Sequence, residues 1–241
     1  MSGARTGSLH LAASRAGTRT VLERVRYDGI SRCSRAFRDG DAMRVVCSQL
    51  GPGVVRGDRV TTEGRLHAGA HLIVTQQTAT RLLGGGAASE AQATWRLDDG
   101  AFLELLGEPL VGNPGARYEA TTNVELATGA RVLSCEYACV PADSRVRLRT
   151  SVRRGGREIL YDAYDAESAA PFVTGTLAYA GIDASRAAEA VARLDAASDA
   201  CAGVRVGVGA LPEGVLARVL GTEVWQVRAA LLALRASLAT R

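Results

Sequence analysis

The chain carries three imidazoles, at His10, His67 and His71. His67 and His71 flank Ala68-Gly69-Ala70, so a tight turn there would bring both rings to one edge. They could then share a divalent ion such as nickel, which imidazole suits. Two ligands fall short of a closed site, and no carboxylate lies close by in sequence. The competing reading is a pair of strand-end histidines. Cys135 and Cys139 have the spacing of a metal pair but fail on geometry. On a strand both thiols share a face, yet their Cα atoms lie about 13 Å apart. A disulfide needs Cα atoms within about 7 Å, and a shared ion is equally out of reach.

Other chemistry finds less support. There is no Gly-x-Ser-x-Gly elbow, and no cysteine sits in an activating context near a histidine. Gly84-Gly85-Gly86 lacks the Lys-Ser/Thr of a phosphate loop, and the Gly51 to Gly57 stretch lacks a lysine and leads into a strand. Asp58, between Arg56 and Arg59, has two readings. Its carboxylate either caps the bend after Gly57 or lines a polar path. No catalytic residue and no tightly bound cofactor is expected.

The elements that position these residues are mostly strands. Short alternating or β-branched runs fill Leu9 to Tyr164, punctuated by Asp39-Gly40-Asp41, Ala68-Gly69, Asp98-Asp99-Gly100, Thr128-Gly129 and Gly155-Gly156. Such residues supply tight turns and predict an antiparallel β architecture, layered or helical, with no internal repeat visible by eye. Gly155-Gly156 is the clearest hairpin, joining Ser144–Arg153 to Glu158–Tyr164. In its first strand Arg145, Arg147 and Arg149 form a stripe that reads either as a solvated face or as a contact for an acidic partner. After Phe172 the text turns alanine-rich. Ser185 to Ala197 reads as a helix capped by Asp183 or Ser185, and a final helix follows Thr222 with Val224, Val227, Leu231, Leu234 and Leu238 on one face. The whole reads as a single domain over 1–241, a β scaffold of about 8–180 and a helical part of about 181–241.

Composition narrows the partners. At 241 residues the chain can bury a sizeable core. No apolar run approaches the roughly 18 residues of a membrane helix, and the N-terminal segment lacks a secretory core, so a cytoplasmic protein is expected. All 29 basic residues are arginine, the net charge is +4, and aromatics make up only 5%. Nucleic-acid binding would call for clustered arginines with aromatic stacking partners. The five scattered cysteines do not suit a disulfide framework.

Several segments, in order, resemble a known family. Gly51-Pro52-Gly53-Val54-Val55-Arg56-Gly57-Asp58-Arg59 resembles a Gly-rich stretch ending in Gly-Asp. Ala68-Gly69-Ala70-His71 and the Thr75 to Arg81 strand end follow, then Asp99 to Val111. Gly156-Arg157-Glu158-Ile159-Leu160-Tyr161-Asp162 and Gly175-Thr176-Leu177 complete the series. Together they resemble the UreD/UreH family of urease accessory proteins over about Ser8 to Ala178. Pro52 stands where that family has Gly, and Gly107-Glu108 where it has Pro-Gln. The resemblance implies a non-enzymatic β scaffold that binds apo-urease and, with UreF- and UreG-type proteins, helps insert nickel. The UreG partner supplies GTP hydrolysis, and nickel passes in transit through the scaffold's interior. Asp58, His71, Thr75 and Glu108 are the candidate residues of that route, or structural polar groups. Arg145, Arg147, Arg149 and the last helix are candidate contact surfaces. Two alternatives stay open: a metal-dependent hydrolase using His67 and His71, and a stand-alone β binding module.

Overall fold

Three segments turn the chain in one way: Leu66-His67-Ala68-Gly69-Ala70, Leu97-Asp98-Asp99-Gly100-Ala101 and Leu126-Ala127-Thr128-Gly129-Ala130. Each places its glycine at φ 66, 65 and 66°, a left-handed conformation that a Cβ disfavours. Each closes with an N–H from the alanine to the carbonyl three residues back. The corners also stack: Gly69 N–H donates to the Asp99 carbonyl at 2.9 Å, and Gly100 N–H to the Thr128 carbonyl at 2.9 Å. They are an internal repeat, Leu-x-x-Gly-Ala, which is hidden in the sequence because only the corner is shared.

The computed structural model describes residues 3–167 and 170–238. Its elements are β1 (Thr6–Ala16), β2 (Arg19–Gly29), β3 (Ser31–Cys33), β4 (Phe37–Asp39), β5 (Ala42–Gln49), β6 (Arg59–Leu66), β7 (His71–Gln76), β8 (Thr80–Leu82) and β9 (Ser89–Leu97). These are followed by β10 (Phe102–Leu106), β11 (Leu110–Gly112), β12 (Arg117–Leu126), β13 (Arg131–Val140), β14 (Arg145–Arg154), β15 (Arg157–Glu167) and β16 (Phe172–Ala180). Helix α1 (Ala184–Ser198), β17 (Val204–Leu211), β18 (Gly214–Gly221) and α2 (Val224–Leu238) complete the chain. One sheet has the order β15-β14-β12-β9-β6-β1-β2. The other runs β17-β18-β16-β13-β10-β7-β5-β3, with β4, β8 and β11 beside it. No helix among the described residues is long and apolar enough to cross a membrane.

The mainly β, layered architecture with two C-terminal helices agrees with the sequence reading; strand direction needs a correction. At the ends of the sheets the pairs are antiparallel, including the β14–β15 hairpin at Gly155-Gly156. In the middle they are parallel: β1–β6, β6–β9, β9–β12 and β12–β14 in one sheet, β5–β7, β7–β10 and β10–β13 in the other. The glycine turns at 69, 100 and 129 do not fold a strand onto its neighbour. They carry it across to the opposite sheet, so strands with the same role lie side by side in the same direction.

Register then places like residues in rows. Leu66, Leu97 and Leu126 lie side by side, all at most 2% exposed. Burying each contributes roughly 2 kcal/mol. The next inward row is Gly64, Trp95, Val124 and Val152, with Trp95 1% exposed. The row beyond it is Thr62, Ala93, Thr122 and Thr150, which is small and polar.

On the far side of the second sheet, α1 and α2 bury Ala187, Ala190, Leu194, Val227, Ala230, Leu231 and Leu234 against β13, β16 and β18. Asp183 caps α1, accepting from the Arg186 N–H at 2.9 Å. Gly175 lets α2 approach: a Cβ there would lie 2.8 Å from Leu231 Cδ1 and 2.9 Å from Val227 Cγ1.

Asp58 secures the opposite end. Its carboxylate is wholly buried and accepts from the Arg5 N–H at 2.8 Å, from Arg5 Nη2 at 2.6 Å and from the Val55 N–H at 3.0 Å. Burial alone would push this carboxyl up; the Arg5 guanidinium and the two N–H groups outweigh it and hold it below the usual range. Arg5 also donates to the carbonyls of Leu50 and Gly53, fastening the Gly51–Gly53 loop.

Asp58→Ala, which leaves Arg5 without its partner, is expected to lower the unfolding free energy by roughly 3–5 kcal/mol at neutral pH. Because the folded carboxyl titrates low, that difference should shrink as pH falls below the ordinary aspartate range, which denaturant titrations at two pH values would check. Gly175→Val should cost about 1–3 kcal/mol by overpacking beneath α2, seen as a lower thermal midpoint.

Candidate functional site

The small, polar row creates space between the sheets. A cavity of about 190 Å³ is lined from the first sheet by Val60, Thr62, Ala91, Ala93, Ala120, Thr122 and Leu148, and from the second by Gln49, Gln76 and Glu136. Gln49, Val60, Thr62 and Gln76 also line a groove of about 270 Å³ that opens between the Gly51–Gly53 loop and the Thr78 to Arg81 strand end. The landmark runs noted in the sequence therefore form the two lips of one opening.

The other side of the second sheet is reached through a break. Gly107-Glu108-Pro109 separates β10 from β11, interrupting the ladder where proline has no N–H to offer. Gly107, Glu108 and Tyr137 line both the internal cavity and a third one of about 160 Å³ beside α2, which Thr75, Cys135, Arg228, Leu231 and Arg235 also line. Groove, cavity and helix-side cavity thus share walls in series across the scaffold.

Two carboxylates mark this series. Glu108 accepts from the Tyr137 hydroxyl at 3.2 Å and pairs with Arg228 of α2 at 3.3 Å. Glu136 lies on the inward face of β13. Burial first, and then the nearby Asp162 carboxylate, push it up to about 7, with Arg218 opposing. Amides and hydroxyls supply the remaining polar lining.

The residues singled out from sequence divide. Thr75 and Glu108 line the helix-side cavity, with Thr75 Oγ1 donating to the Val45 carbonyl at 3.2 Å. Asp58 stands behind the groove, and its partner Arg5 holds one lip. His71 lines none of these three cavities: its Nε2 meets Glu104 at 2.9 Å and its ring stacks at 4.7 Å on Phe102. Glu104 in turn pairs with Arg235 at 2.7 Å, tying α2 to the sheet. His67 contacts Asp98 at 3.2 Å and Glu23 at 3.3 Å. The two imidazoles thus engage different carboxylates, all distant in sequence. Among the described residues no three His, Cys, Asp or Glu side chains are grouped to hold a metal.

In the arginine stripe, Arg145 pairs with Asp165 at 2.9 Å, and Arg147 with Asp165 at 2.7 Å and Glu119 at 2.9 Å. These two arginines, Arg145 foremost, hold the Asp165 carboxyl far below its usual range. Arg149 stays exposed.

Gln49, Thr62, Thr122 and Glu136 were missed in sequence. The available signal was a glutamate in the mostly apolar Val132–Val140 run, and threonine or alanine where strand alternation calls for a large apolar side chain.

Because folded Glu136 keeps its proton to a higher pH than the unfolded chain, its contribution is complete below the ordinary glutamate range and is lost as pH rises toward about 7. Glu136→Gln should remove that dependence and be more stable than the parent at pH 8 by on the order of 1–3 kcal/mol; equal pH profiles would contradict the burial.

Comparison with known proteins agrees with the sequence resemblance. A family model described as UreD urease accessory protein matches residues 5–241. The urease accessory protein UreD of Opitutus terrae is 31% identical, covering 97% of this chain and 94% of its own. That of Actinomyces naeslundii is 30% identical over 94% and 91% of the two chains, and that of Dechloromonas aromatica 27% over 88% and 82%. With the family model covering nearly its whole length and relatives of 30–31% identity aligned over nine tenths of it, the chain belongs to the UreD family of urease accessory proteins.

Proposed function

We propose that this protein is a cytoplasmic, non-catalytic scaffold of urease maturation that binds apo-urease and, with UreF- and UreG-type partners, conveys nickel ions through its interior. The observation that carries the reading is the series of adjoining cavities between the Gly51–Arg81 groove and the face of α2.

A dication in transit is the substrate here. Amide and hydroxyl groups of Gln49, Gln76, Thr62 and Thr122 can accept from or donate to its hydration shell, so the ion need not shed all its water. Glu108 supplies negative charge at the break in the sheet, and Glu136, on the neighbouring β13, can add one by giving up its proton. A cation beside Glu136 favours the carboxylate over the acid, so passage would draw off the proton that burial retains.

The two ends require two partners. At the α2 end, Trp225 is 66% exposed and Leu232 48%, apolar anchors of the kind that interfaces favour. The Arg145/Arg147/Arg149 face has less to offer, since two of its three charges are already paired within the chain. No observation favours the hydrolase alternative, because His67 and His71 serve separate ion pairs.

Thr122→Trp would fill the internal cavity without touching either end. Retention of urease and accessory partners in a pull-down should be unchanged, while nickel-dependent activation of urease should fall roughly tenfold or more, given how little slack a packed interior leaves. Full activation by a folded Thr122→Trp protein would remove the interior route.

A further inference from the structure

Cys33 and Cys47 face each other across the antiparallel β3–β5 pair. Ladder bonds on either side settle their setting. Ser34 N–H donates to the Val46 carbonyl at 2.9 Å, and Leu50 N–H to the Ile30 carbonyl at 2.7 Å. The 34/46 and 30/50 pairs are hydrogen-bonded, so alternation makes 33/47 a non-hydrogen-bonded pair. In that position Cα atoms lie about 4.5 Å apart with side chains on the same face, within the range a disulfide spans. Both thiols are free and partly exposed. Cys47 lines the groove beside the Gly51–Gly53 loop, together with Ser31, Arg32, Ser48 and Gln49 from the same two strands.

We propose that Cys33 and Cys47 are a redox-active dithiol that closes to a cross-strand disulfide by exchange with a low-molecular-weight disulfide. The Cys33 thiolate attacks one sulfur of the small disulfide, forming a mixed disulfide and releasing one small thiolate. Cys47, deprotonated, then attacks the Cys33 sulfur, forming the protein disulfide and releasing the second small thiolate. Two protein thiols are oxidised and one small disulfide is reduced to two thiols, the two protons leaving with them.

The assignment of roles follows the surroundings. The neighbouring Cys47 thiol holds the Cys33 thiol below its ordinary range, while that same contact and burial push Cys47 up. Cys33 is therefore the attacking sulfur and Cys47 the resolving one. Among the other cysteines, Cys135 and Cys139 sit four residues apart on β13, beyond bridging distance, and Cys201 follows α1. Closure would pin the edge strand β3 to β5 and stiffen one wall of the groove. This inference rests on strand geometry and is independent of what the groove admits.

The full chain, purified reduced, would be incubated with oxidised glutathione, alkylated without reduction, digested and mapped by mass spectrometry. A Cys33–Cys47 linked peptide is expected, with Cys135, Cys139 and Cys201 alkylated. In Cys47→Ser, glutathione should remain on Cys33; in Cys33→Ser, the linked peptide should vanish. The proposal fails if the parent protein retains both thiols as alkylated peptides, accumulates glutathione on Cys33, or links either cysteine elsewhere.

Discussion

Each coil of this scaffold must hand the chain to the opposite sheet at the same height, and that depends on a left-handed residue at Gly69, Gly100 and Gly129. A side chain at these positions would cost strain three times over, in corners that hydrogen-bond to one another. Once the corners coincide, the parallel register follows, and with it the rows of inward side chains. Leucine meets leucine at the corner, and threonine or alanine meets its like two rows further on. A single layer of small residues in every coil then adds up to a cavity, which no one strand could make alone.

That cavity is bounded by charges whose partners come from far along the chain. Arg5 and Asp58 hold the groove lip, while Glu104 with Arg235 and Glu108 with Arg228 fasten α2 over the break between β10 and β11. Removing Arg5 or Arg235 strands the buried Asp58 or Glu104 carboxylate in a poorly hydrated place, so these contacts matter less for net attraction than for holding one arrangement. Glu136 differs, being unpaired with any arginine at close range and kept protonated toward neutrality by its surroundings. A carboxyl poised in that way responds to a passing cation far more than one already committed to a salt bridge.

Much of the fold was legible from local pattern. The Gly155-Gly156 hairpin, both C-terminal helices and the Asp183 cap appear where alternation, heptad-like spacing and capping chemistry put them. Strand direction was not legible. A glycine with positive φ serves a hairpin and a crossing corner equally well, and only the identity of the neighbouring strand separates the two. The candidate site shows the same division. Thr75 and Glu108 were found through a resemblance, whereas Thr62 and Thr122 look like ordinary strand residues until the opposing sheet is in place.

The sequence by itself determined the element types, the glycine corners, the absence of a local catalytic motif and the family landmarks, because each depends on residues within a turn or two of one another. Tertiary structure alone decided that the landmarks form the lips of one groove and that His67 and His71 part company toward different carboxylates. It also decided that one glutamate of an apolar strand faces a cavity. Those outcomes depend on which strands lie side by side and at what register, and that is set by how every coil packs on the next.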